Sequence, residues 1–514
     1  YIGMEGPWDV HRILGTVEIE TDGSATFHVP ANVPIAVQPL DGDGKALQLM
    51  RSWFVAMPGE NLACIGCHEK STAAPPRHIP IAARRDPQQI KEWYGPARGF
   101  SFDREVQPVL DEYCVGCHID TPYEGQTLVD LRNDNIQGFS QSYKALQAHV
   151  RRPGPESDYH MMPPAEYHAD TSPLIQMLNK GHHGVQLDRE ATERLYTWID
   201  LNVPYYGTWG EFRQIPSDQR ERRADLRQLY AGIALDYEIV PELPTRDITP
   251  IIPSVPEPIN LVEVELANWP FDSAQARELQ GDVREKTINI EDPDGQTLEL
   301  EMVLIPAGEF VMGDPKGGRD ENPICAVTID KPFWISKDVI TNAQYNCFDP
   351  EHDSRYLDRR GKDHSNRGNP LNRPEQPAIR ISWDRAMAFG RWLSNETGKD
   401  YSLTTEAQWE FACRAGANPD EGSNGSVWGV RNMARMGEWT RSDYRPYPYA
   451  ADGRDDGASE GKKVVRGTRS LGVHDDRRDT YRLDYYHWQP VWDVGFRVVC
   501  EADEPVDEVA TSEQ

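Results

Sequence analysis

Two short strings constrain this chain more than any other feature: CIGCH at residues 64–68 and CVGCH at residues 114–118. Two thiols three positions apart can form thioethers with both vinyl groups of one haem, and the adjacent histidine then lies beneath the iron as its proximal ligand. With eight cysteines and 14 histidines in 514 residues, chance produces such a string about 0.003 times per chain. The sequence therefore predicts two covalently bound haem c groups. The predicted attachment and proximal residues are Cys64, Cys67 and His68 for the first haem and Cys114, Cys117 and His118 for the second.

A four-cysteine zinc site is the alternative to haem. Structural zinc sites usually separate their cysteine pairs by about 12–20 residues. Here 46 residues lie between Cys67 and Cys114, and each pair is followed directly by a histidine. The spacing therefore favours haem.

The sixth ligand of each iron is less constrained. For the second haem we favour His182, because its turn comes just before the helix that should cover the haem. Met161, Met162 and His183 remain alternatives, and a methionine would raise the reduction potential where a second histidine would lower it. For the first haem no spacing rule separates His78, Tyr94, His11 and His28. An open iron near His68 and Tyr94 is the further alternative, and chemistry could occur there.

The charge of the chain excludes several classes of partner. Lys and Arg total 54 against 83 Asp and Glu, which gives a net charge of −29. Nucleic acids and anionic membranes need a basic face, so neither is expected to bind. No stretch approaches the about 18 apolar residues of a membrane helix, and the mean hydropathy is −0.67.

Changes of pattern along the chain predict several domains. Residues 1–99 are predicted as a small β-rich segment with the first haem, including short strands over 17–20 and 24–29 around an Asp22-Gly23 turn. Residues 100–206 are predicted as a mainly α domain with the second haem. One of its helices spans about 103–114, and another runs from an Asp188 N-cap to about residue 202. Residues 207–300 are predicted as a connector, because six prolines fall between 241 and 258.

The pattern changes again near residue 301. From there to about residue 502 the sequence predicts short strands joined by glycine-rich loops. Helices are predicted over 383–397 and directly after a capping box formed by Thr405 and Gln408. Residues 503–514 are predicted as an acidic tail.

Four longer strings of residues 1–212 are distinctive: SATFHVPANVP (24–34), LMRSWFVAMPGENLACIGCHE (49–69), FSFDREVQPVLDEYCVGCH (100–118) and WIDLNVPY (198–205). Through these strings, residues 1–212 resemble the haem-bearing region of the hydrazine synthase alpha subunit and its planctomycete-type dihaem cytochrome c relatives. The resemblance implies an extracytoplasmic protein, such as one of the periplasm, with one open haem and one electron-transfer haem with two histidine ligands. His118 and His182 suit the electron-transfer haem, and Cys64, Cys67 and His68 suit the other, with Tyr94 as an oxygen ligand. It also implies a β-propeller domain or subunit ahead of residue 1.

Six ordered strings mark residues 302–500: MVLIPAGEFVMG (302–313), TNAQY (341–345), PAIRISW (377–383), LTTEAQWEFAC (403–413), GEWT (437–440) and VGFR (494–497). Through these strings, the region resembles the formylglycine-generating, sulfatase-modifying-factor family. The resemblance implies an α+β, C-type-lectin-like fold.

The residues that carry activity in that family are not matched. Its copper enzymes use a cysteine pair before the final Gly-Phe-Arg, and residues 466–494 contain no cysteine. Its non-haem-iron relatives use a clustered set of two histidines and a glutamate. The histidines of this region are scattered along the sequence: His352, His364, His474 and His487. We therefore expect a non-catalytic domain that serves as a scaffold, a docking surface or a module for calcium or zinc.

Four further cysteines lie in this region: Cys325, Cys347, Cys413 and Cys500. They allow three pairings, between which the sequence does not choose. The oxidising compartment implied by haem c favours at least one disulfide, and four buried free thiols are the alternative.

Three functional hypotheses follow. The first is an extracytoplasmic dihaem c-type cytochrome that serves redox partner proteins by electron transfer or redox catalysis. The second is a hydrazine-synthase-like enzyme with nitrogen-compound chemistry at an open first haem. The third is an interaction subunit of a larger redox assembly.

Overall fold

The structure, a computed structural model, describes residues 2–4, 9–66, 78–119, 128–136, 138–153, 162–233, 236–244, 247–254, 263–267, 269–292, 294–357, 368–414, 426–467 and 478–502. The described residues of 1–256 form one compact unit, and those of 257–357 and 368–502 form a second. The protein is therefore multidomain. The predicted acidic tail over 503–514 lies outside the described residues.

Helices are the main regular secondary structure described in the first unit. Two of them, α1 (Gln107–Tyr113) and α4 (Arg189–Asp200), are predicted by apolar spacing and are confirmed. Helix α1 is shorter than predicted because the turn before it, Phe102–Val106, is π-helical. The Asp188 carboxylate caps α4 as predicted, accepting a hydrogen bond from the Ala191 amide at 2.7 Å. The helices are α1 (Gln107–Tyr113), α2 (Gln141–Leu146), α3 (Pro173–Asn179), α4 (Arg189–Asp200), α5 (Trp209–Phe212) and α6 (Ser217–Ala231).

An aromatic core fixes these helices to one another. Phe102, Tyr143 and Trp198 are fully buried, and the Phe102 ring centroid lies 5.1 Å from that of Tyr143 and 5.3 Å from that of Trp198. Burying each such side chain contributes about 2 kcal/mol or more. Cys114, at the end of α1, packs against this core.

The strands predicted near the start of the chain are not formed. Thr16 and Phe27 make only isolated bridges, to Lys91 and Gln88 respectively. The turn is confirmed, since the Gly23 amide donates to the carbonyl oxygen of Glu20 at 2.8 Å. The strand prediction is wrong because these residues pair one at a time with a distant segment, which local alternation does not report. The strands described in this unit are the pairs β1 (Arg12–Ile13) with β2 (Arg98–Gly99) and β3 (Asn135–Ile136) with β4 (Phe139–Ser140).

The second unit is an α+β fold, as expected, in which two sheets are the largest elements. Its helices are α7 (Ser273–Gln280), α8 (Asn342–Asn346), α9 (Trp383–Thr397) and α10 (Glu406–Arg414). Its strands are β5 (Glu285–Glu291), β6 (Thr297–Ile305), β7 (Gly308–Met312), β8 (Cys325–Ile329), β9 (Phe333–Ser336), β10 (Tyr356–Leu357), β11 (Asn369–Pro370), β12 (Tyr401–Leu403), β13 (Gly437–Asp443), β14 (Lys462–Arg466), β15 (Arg482–Tyr486), β16 (Val494–Phe496) and β17 (Val498–Glu501).

The two sheets differ in strand direction. The order β12-β17-β9-β6-β5 is antiparallel throughout, whereas in β15-β14-β13-β16 the last pair is parallel. Phe389 of α9 packs in the core with Trp439 and Phe496. Both helices predicted here are confirmed: α9 spans 383–397, and Thr405 and Gln408 cap α10 reciprocally at 2.9 and 3.1 Å.

Regular structure also occurs inside the predicted connector. Helices α5 and α6 lie within residues 207–300 in the first unit, and α7 and β5 lie there in the second. All seven residues of β5 pair with β6, so β5 is part of the larger sheet. The chain between the units is therefore shorter than the predicted connector.

Candidate haem site

The second string, CVGCH, forms a tight turn directly after α1. The Cys114 amide donates to the carbonyl oxygen of Leu110 at 2.8 Å, and the amides of Cys117 and His118 both donate to that of Cys114, at 3.1 and 2.9 Å. Burial raises the pKa of the Cys114 thiol to about 12, and the neighbouring Cys117 adds to this shift. The turn holds the three predicted haem-binding residues in one loop fixed to the core.

A single hydrogen bond orients the His118 ring. Its Nδ1 lies 3.0 Å from the carbonyl oxygen of Val129. Because a carbonyl oxygen only accepts, Nδ1 carries the proton and Nε2 keeps its lone pair. This is the arrangement in which a histidine can bind a metal through Nε2 while its other nitrogen is held by the protein.

His182 faces His118 from a different part of the chain. The two ring centroids are 5.9 Å apart, with 30° between the ring planes. His182 begins a short 3-10 turn after α3. The residue before it, Gly181, has φ 80°, in the left-handed region that favours glycine. The ring of His183 meets that of His182 edge-on, with the centroids 4.7 Å apart. The structure thus brings together His118 and the favoured sixth ligand.

The methionine alternatives are placed differently. The side chain of Met162 is buried in a small cluster with Ala46 and Leu49, and its carbonyl oxygen accepts a hydrogen bond from Gln48 Nε2 at 3.1 Å. Met161 lies outside the described residues. A methionine ligand to the second haem stays a prediction without support from these contacts.

The first string is only partly described. Cys64 is exposed, and Cys67 and His68 lie outside the described residues. Of the proposed sixth ligands, His28 and His78 are exposed. The His11 Nδ1 lies 3.0 Å from the Asp9 carbonyl oxygen, and burial lowers the pKa of its imidazole.

Tyr94 is engaged elsewhere in the described structure. Its hydroxyl donates to Glu193 of α4 at 2.8 Å, and burial together with this carboxylate raises its pKa to about 12. A tyrosine that binds iron does so as the phenolate, which both effects disfavour. Ligation by Tyr94 stays a prediction, and it would require the bond to Glu193 to break.

A buried ionic cluster of the first unit is absent from the sequence-based candidates. His168 is fully buried with its Nε2 3.0 Å from Asp41, and the Lys45 ammonium lies 2.9 Å from Asp170. Asp200 accepts the Ala46 amide at 2.8 Å, and burial raises its pKa to about 7. Sequence reasoning missed this cluster because its carboxylates are scattered along the sequence.

In the second unit, the string LTTEAQWEFAC forms internal ion pairs. Glu406 accepts from Arg482 at 2.6 Å and from Arg466 at 3.0 Å, and Glu410 accepts from Arg466 at 2.5 Å. All four side chains are fully buried. The residues that carry the resemblance here therefore hold the interior together.

The described histidines of this unit do not converge. His352 lies against Ser354 at 3.2 Å, and His487 pairs with Asp384 at 2.7 Å. His364 and His474 lie outside the described residues. Within the part of the chain that is described, no group of three or more His, Cys, Asp or Glu side chains is arranged to hold a metal ion.

The expected disulfide is not formed. Cys325, Cys347, Cys413 and Cys500 are all free thiols. Cys413 and Cys500 are buried in separate core clusters. Cys347 packs against the cluster that contains Cys500, and Cys325 packs against the one that contains Cys413. Each thiol packs among apolar side chains of its own cluster, and burial raises the pKa of all four.

Comparison with known families matches two parts of the chain. Residues 3–69 match the hydrazine synthase alpha subunit middle domain, and residues 289–430 match the sulfatase-modifying factor enzyme 1-like domain. The chain joins relatives of these two families. The hydrazine synthase alpha-like segment includes the first CIGCH string, and the match to the sulfatase-modifying-factor-like domain begins within β5.

Individual relatives match the sulfatase-modifying-factor-like domain. The formylglycine-generating enzyme of Streptomyces coelicolor is 27% identical in an alignment 154 residues long, which covers 22% of this chain and 47% of that enzyme. The serine/threonine-protein kinase pkn1 of Chlamydia pneumoniae is 30% identical in an alignment 137 residues long, which covers 24% of this chain and 21% of the kinase. The chain thus spans less than half the length of either relative. The structure of PvdO from Pseudomonas aeruginosa covers 42% of this chain and 98% of its own, at 24% identity and a TM-score of 0.33.

Among the described residues, every helix is too short or too polar to cross a lipid bilayer.

Proposed function

We propose that this chain is an extracytoplasmic dihaem c-type protein that transfers electrons, with its second haem bound between His118 and His182. The close approach of these two histidine rings, with 30° between their planes, carries the proposal. A metal–imidazole bond is about 2 Å long, so two histidines on opposite sides of one ion place their ring centroids about 6 Å apart. The observed separation of 5.9 Å suits that arrangement.

Other features of the loop also fit a haem. Cys114 and Cys117 lie in the same turn as His118, and the Val129 carbonyl leaves the His118 Nε2 available to a metal. When bound, a haem supplies one-electron redox chemistry. The residues of this chain would hold it in place, and two histidine ligands would exclude substrates from the iron and favour a low reduction potential.

Intact-mass analysis combined with electron paramagnetic resonance tests the proposal. We expect the mass to exceed that of the 58.3 kDa polypeptide by two haem groups, and one signal to be that of a low-spin haem with two histidine ligands. A protein without covalent haem, or with stoichiometric zinc in its place, would refute the proposal.

A second candidate function concerns the first haem. The match to the hydrazine synthase alpha subunit middle domain covers residues 3–69, which include Cys64, Cys67 and His68. This match favours redox catalysis on a small nitrogen compound at an open first iron. A high-spin signal that responds to added small ligands would support catalysis, whereas two low-spin signals would restrict the protein to electron transfer.

The sulfatase-modifying-factor-like domain is proposed to act as a scaffold or docking surface without formylglycine-generating activity. The string LTTEAQWEFAC supplies buried ion pairs through Glu406. The four described thiols of this domain lie in its core clusters or pack against them. Redox proteins, and a β-propeller domain or subunit, are the partners that we propose. The extracytoplasmic location rests on haem c and on the family match, and calcium or zinc in this domain is a proposal without a described ligand cluster.

A further inference from the structure

A short segment of the predicted connector lies on the loop that carries the second string. This segment, Pro250–Ile252, is called the strap here. A Cβ atom added to Gly116 would lie 3.1 Å from the Ile252 side chain, 3.4 Å from the Ile251 carbonyl oxygen and 3.6 Å from the Pro250 ring. The strap therefore touches the middle of CVGCH, and glycine at position 116 permits the close approach.

A hydrogen bond fixes the strap to the end of α1. The Ile251 amide donates to the carbonyl oxygen of Glu112 at 2.7 Å. Carbonyl groups in the last turn of a helix have no partner within the helix, so this bond satisfies one of them from outside. The two contacts, to Glu112 and to Gly116, lie on either side of Cys114. The strap thus contacts the chain both before and after Cys114.

The strap also presents apolar surface next to the loop. Ile251 and Ile252 are 47% and 66% exposed, and Pro250 and Pro253 limit the conformations open to the backbone between them. This isoleucine pair places hydrocarbon beside Gly116, in the middle of the attachment loop.

We propose that the strap is a positioning element of the second haem that excludes water from the attachment loop and thereby raises the reduction potential; this inference rests on the proposed haem at Cys114, Cys117 and His118. Removing one electron from a haem increases its positive charge, and water stabilises that charge better than hydrocarbon does. Burial is therefore one of the means by which a protein tunes haem potential. Neither Ile251 nor Ile252 touches the iron in this proposal; both act through the loop.

The test compares Ile252→Asp in the full-length haem protein with the matched control Ile239→Asp, since Ile239 is similarly exposed at 63% and is not part of the strap. We expect Ile252→Asp to keep both haems and the low-spin spectrum, but to lower the midpoint potential of the second haem. Amide hydrogen exchange at residues 115–118 should become faster by about threefold or more. The control should match the parent in both measurements.

A second variant changes the loop side of the contact between Gly116 and Ile252. Gly116→Ala places a methyl group against Ile252, so the strap must shift, and we expect changes in the same direction as for Ile252→Asp. If potential and exchange stay unchanged in both variants while the haems are retained, the strap inference is wrong and the proposed function stands. If the parent protein contains no covalent haem, the proposed function itself is refuted.

Discussion

The carbonyl oxygen of Val129 accepts a hydrogen bond from Nδ1 of His118 at 3.0 Å, and this contact decides which ring nitrogen can bind a metal. The centroid of this ring already lies 5.9 Å from that of His182 in the polypeptide alone. Its geometry is therefore set by the fold, and the residues around it can be tested one at a time.

Replacing His182 by alanine should remove one axial ligand from the second haem. We expect its low-spin signal to be replaced by a high-spin signal, with haem content unchanged because the thioethers remain. His183→Ala is the matched control and should leave the spectrum as in the parent. A low-spin spectrum that survives His182→Ala would assign the ligand to Met161, Met162 or His183.

The two strings should each account for one haem. The double variant Cys114→Ala/Cys117→Ala should lose one haem mass, and Cys64→Ala/Cys67→Ala should lose the other, because thioether formation needs these thiols. Intact-mass spectrometry after denaturation distinguishes covalent from adsorbed haem. Loss of both haems in either variant would show that the strings do not act independently.

Asp200 should make the stability of the first unit depend on pH. Its pKa is raised to about 7 in the folded protein, so between pH about 4 and pH about 7 the unfolded chain ionises this carboxyl while the folded protein keeps its proton. The free energy of unfolding should therefore fall as pH rises through this window. Asp200→Asn should remove that slope and be more stable than the parent at pH 8 by a few kcal/mol at most.

Denaturant unfolding at a series of pH values, followed by tryptophan fluorescence, measures this slope. Asp134→Asn is the control, since Asp134 is exposed. Equal slopes in the parent and Asp200→Asn would contradict the prediction.

Removing the Glu406 charge should destabilise the second unit strongly. Glu406→Gln would leave the guanidinium groups of Arg466 and Arg482 buried without their shared carboxylate, and breaking such a pair costs about 3–5 kcal/mol. The exposed pair between Lys331 and Glu501, at 3.0 Å, provides the control, because Glu501→Gln should cost less than about 1 kcal/mol. Calorimetric unfolding of both variants measures the difference, and similar losses would argue against the buried network as a stabilising element.

The sulfatase-modifying-factor-like domain should not oxidise a cysteine-containing sulfatase peptide. Copper chemistry of that type needs soft thiolate ligands, and residues 466–494 contain no cysteine. The assay uses the full chain loaded with copper and then with iron, beside an active formylglycine-generating enzyme. Turnover above the metal-only background would show that other residues supply the site.

Some of the fold and site follows from the sequence because its signals are local. The Asp188 cap, the Thr405–Gln408 box and the apolar spacing of α9 each act within one helix, and the structure confirms all three. His182 was favoured because its turn immediately precedes α4, which is also a local relationship.

Other features depend on distant backbone groups and leave no pattern in the sequence. The Val129 carbonyl and the Ile251 amide are ordinary backbone groups of a kind that nearly every residue carries. Nothing in the sequence therefore marks them as partners of His118 and Glu112. The strands predicted over 17–20 and 24–29 fail for the same reason, since Thr16 and Phe27 pair with residues far along the chain.

The ion pairs of Glu406 have a consequence for how this domain can change over evolutionary time. They join α10 to β14 and β15 from the inside, and the side chains that make the domain recognisable point away from solvent. Surface residues can therefore be replaced without disturbing these internal links. A domain with such an interior can keep its fold while its surface changes and comes to bind different partners.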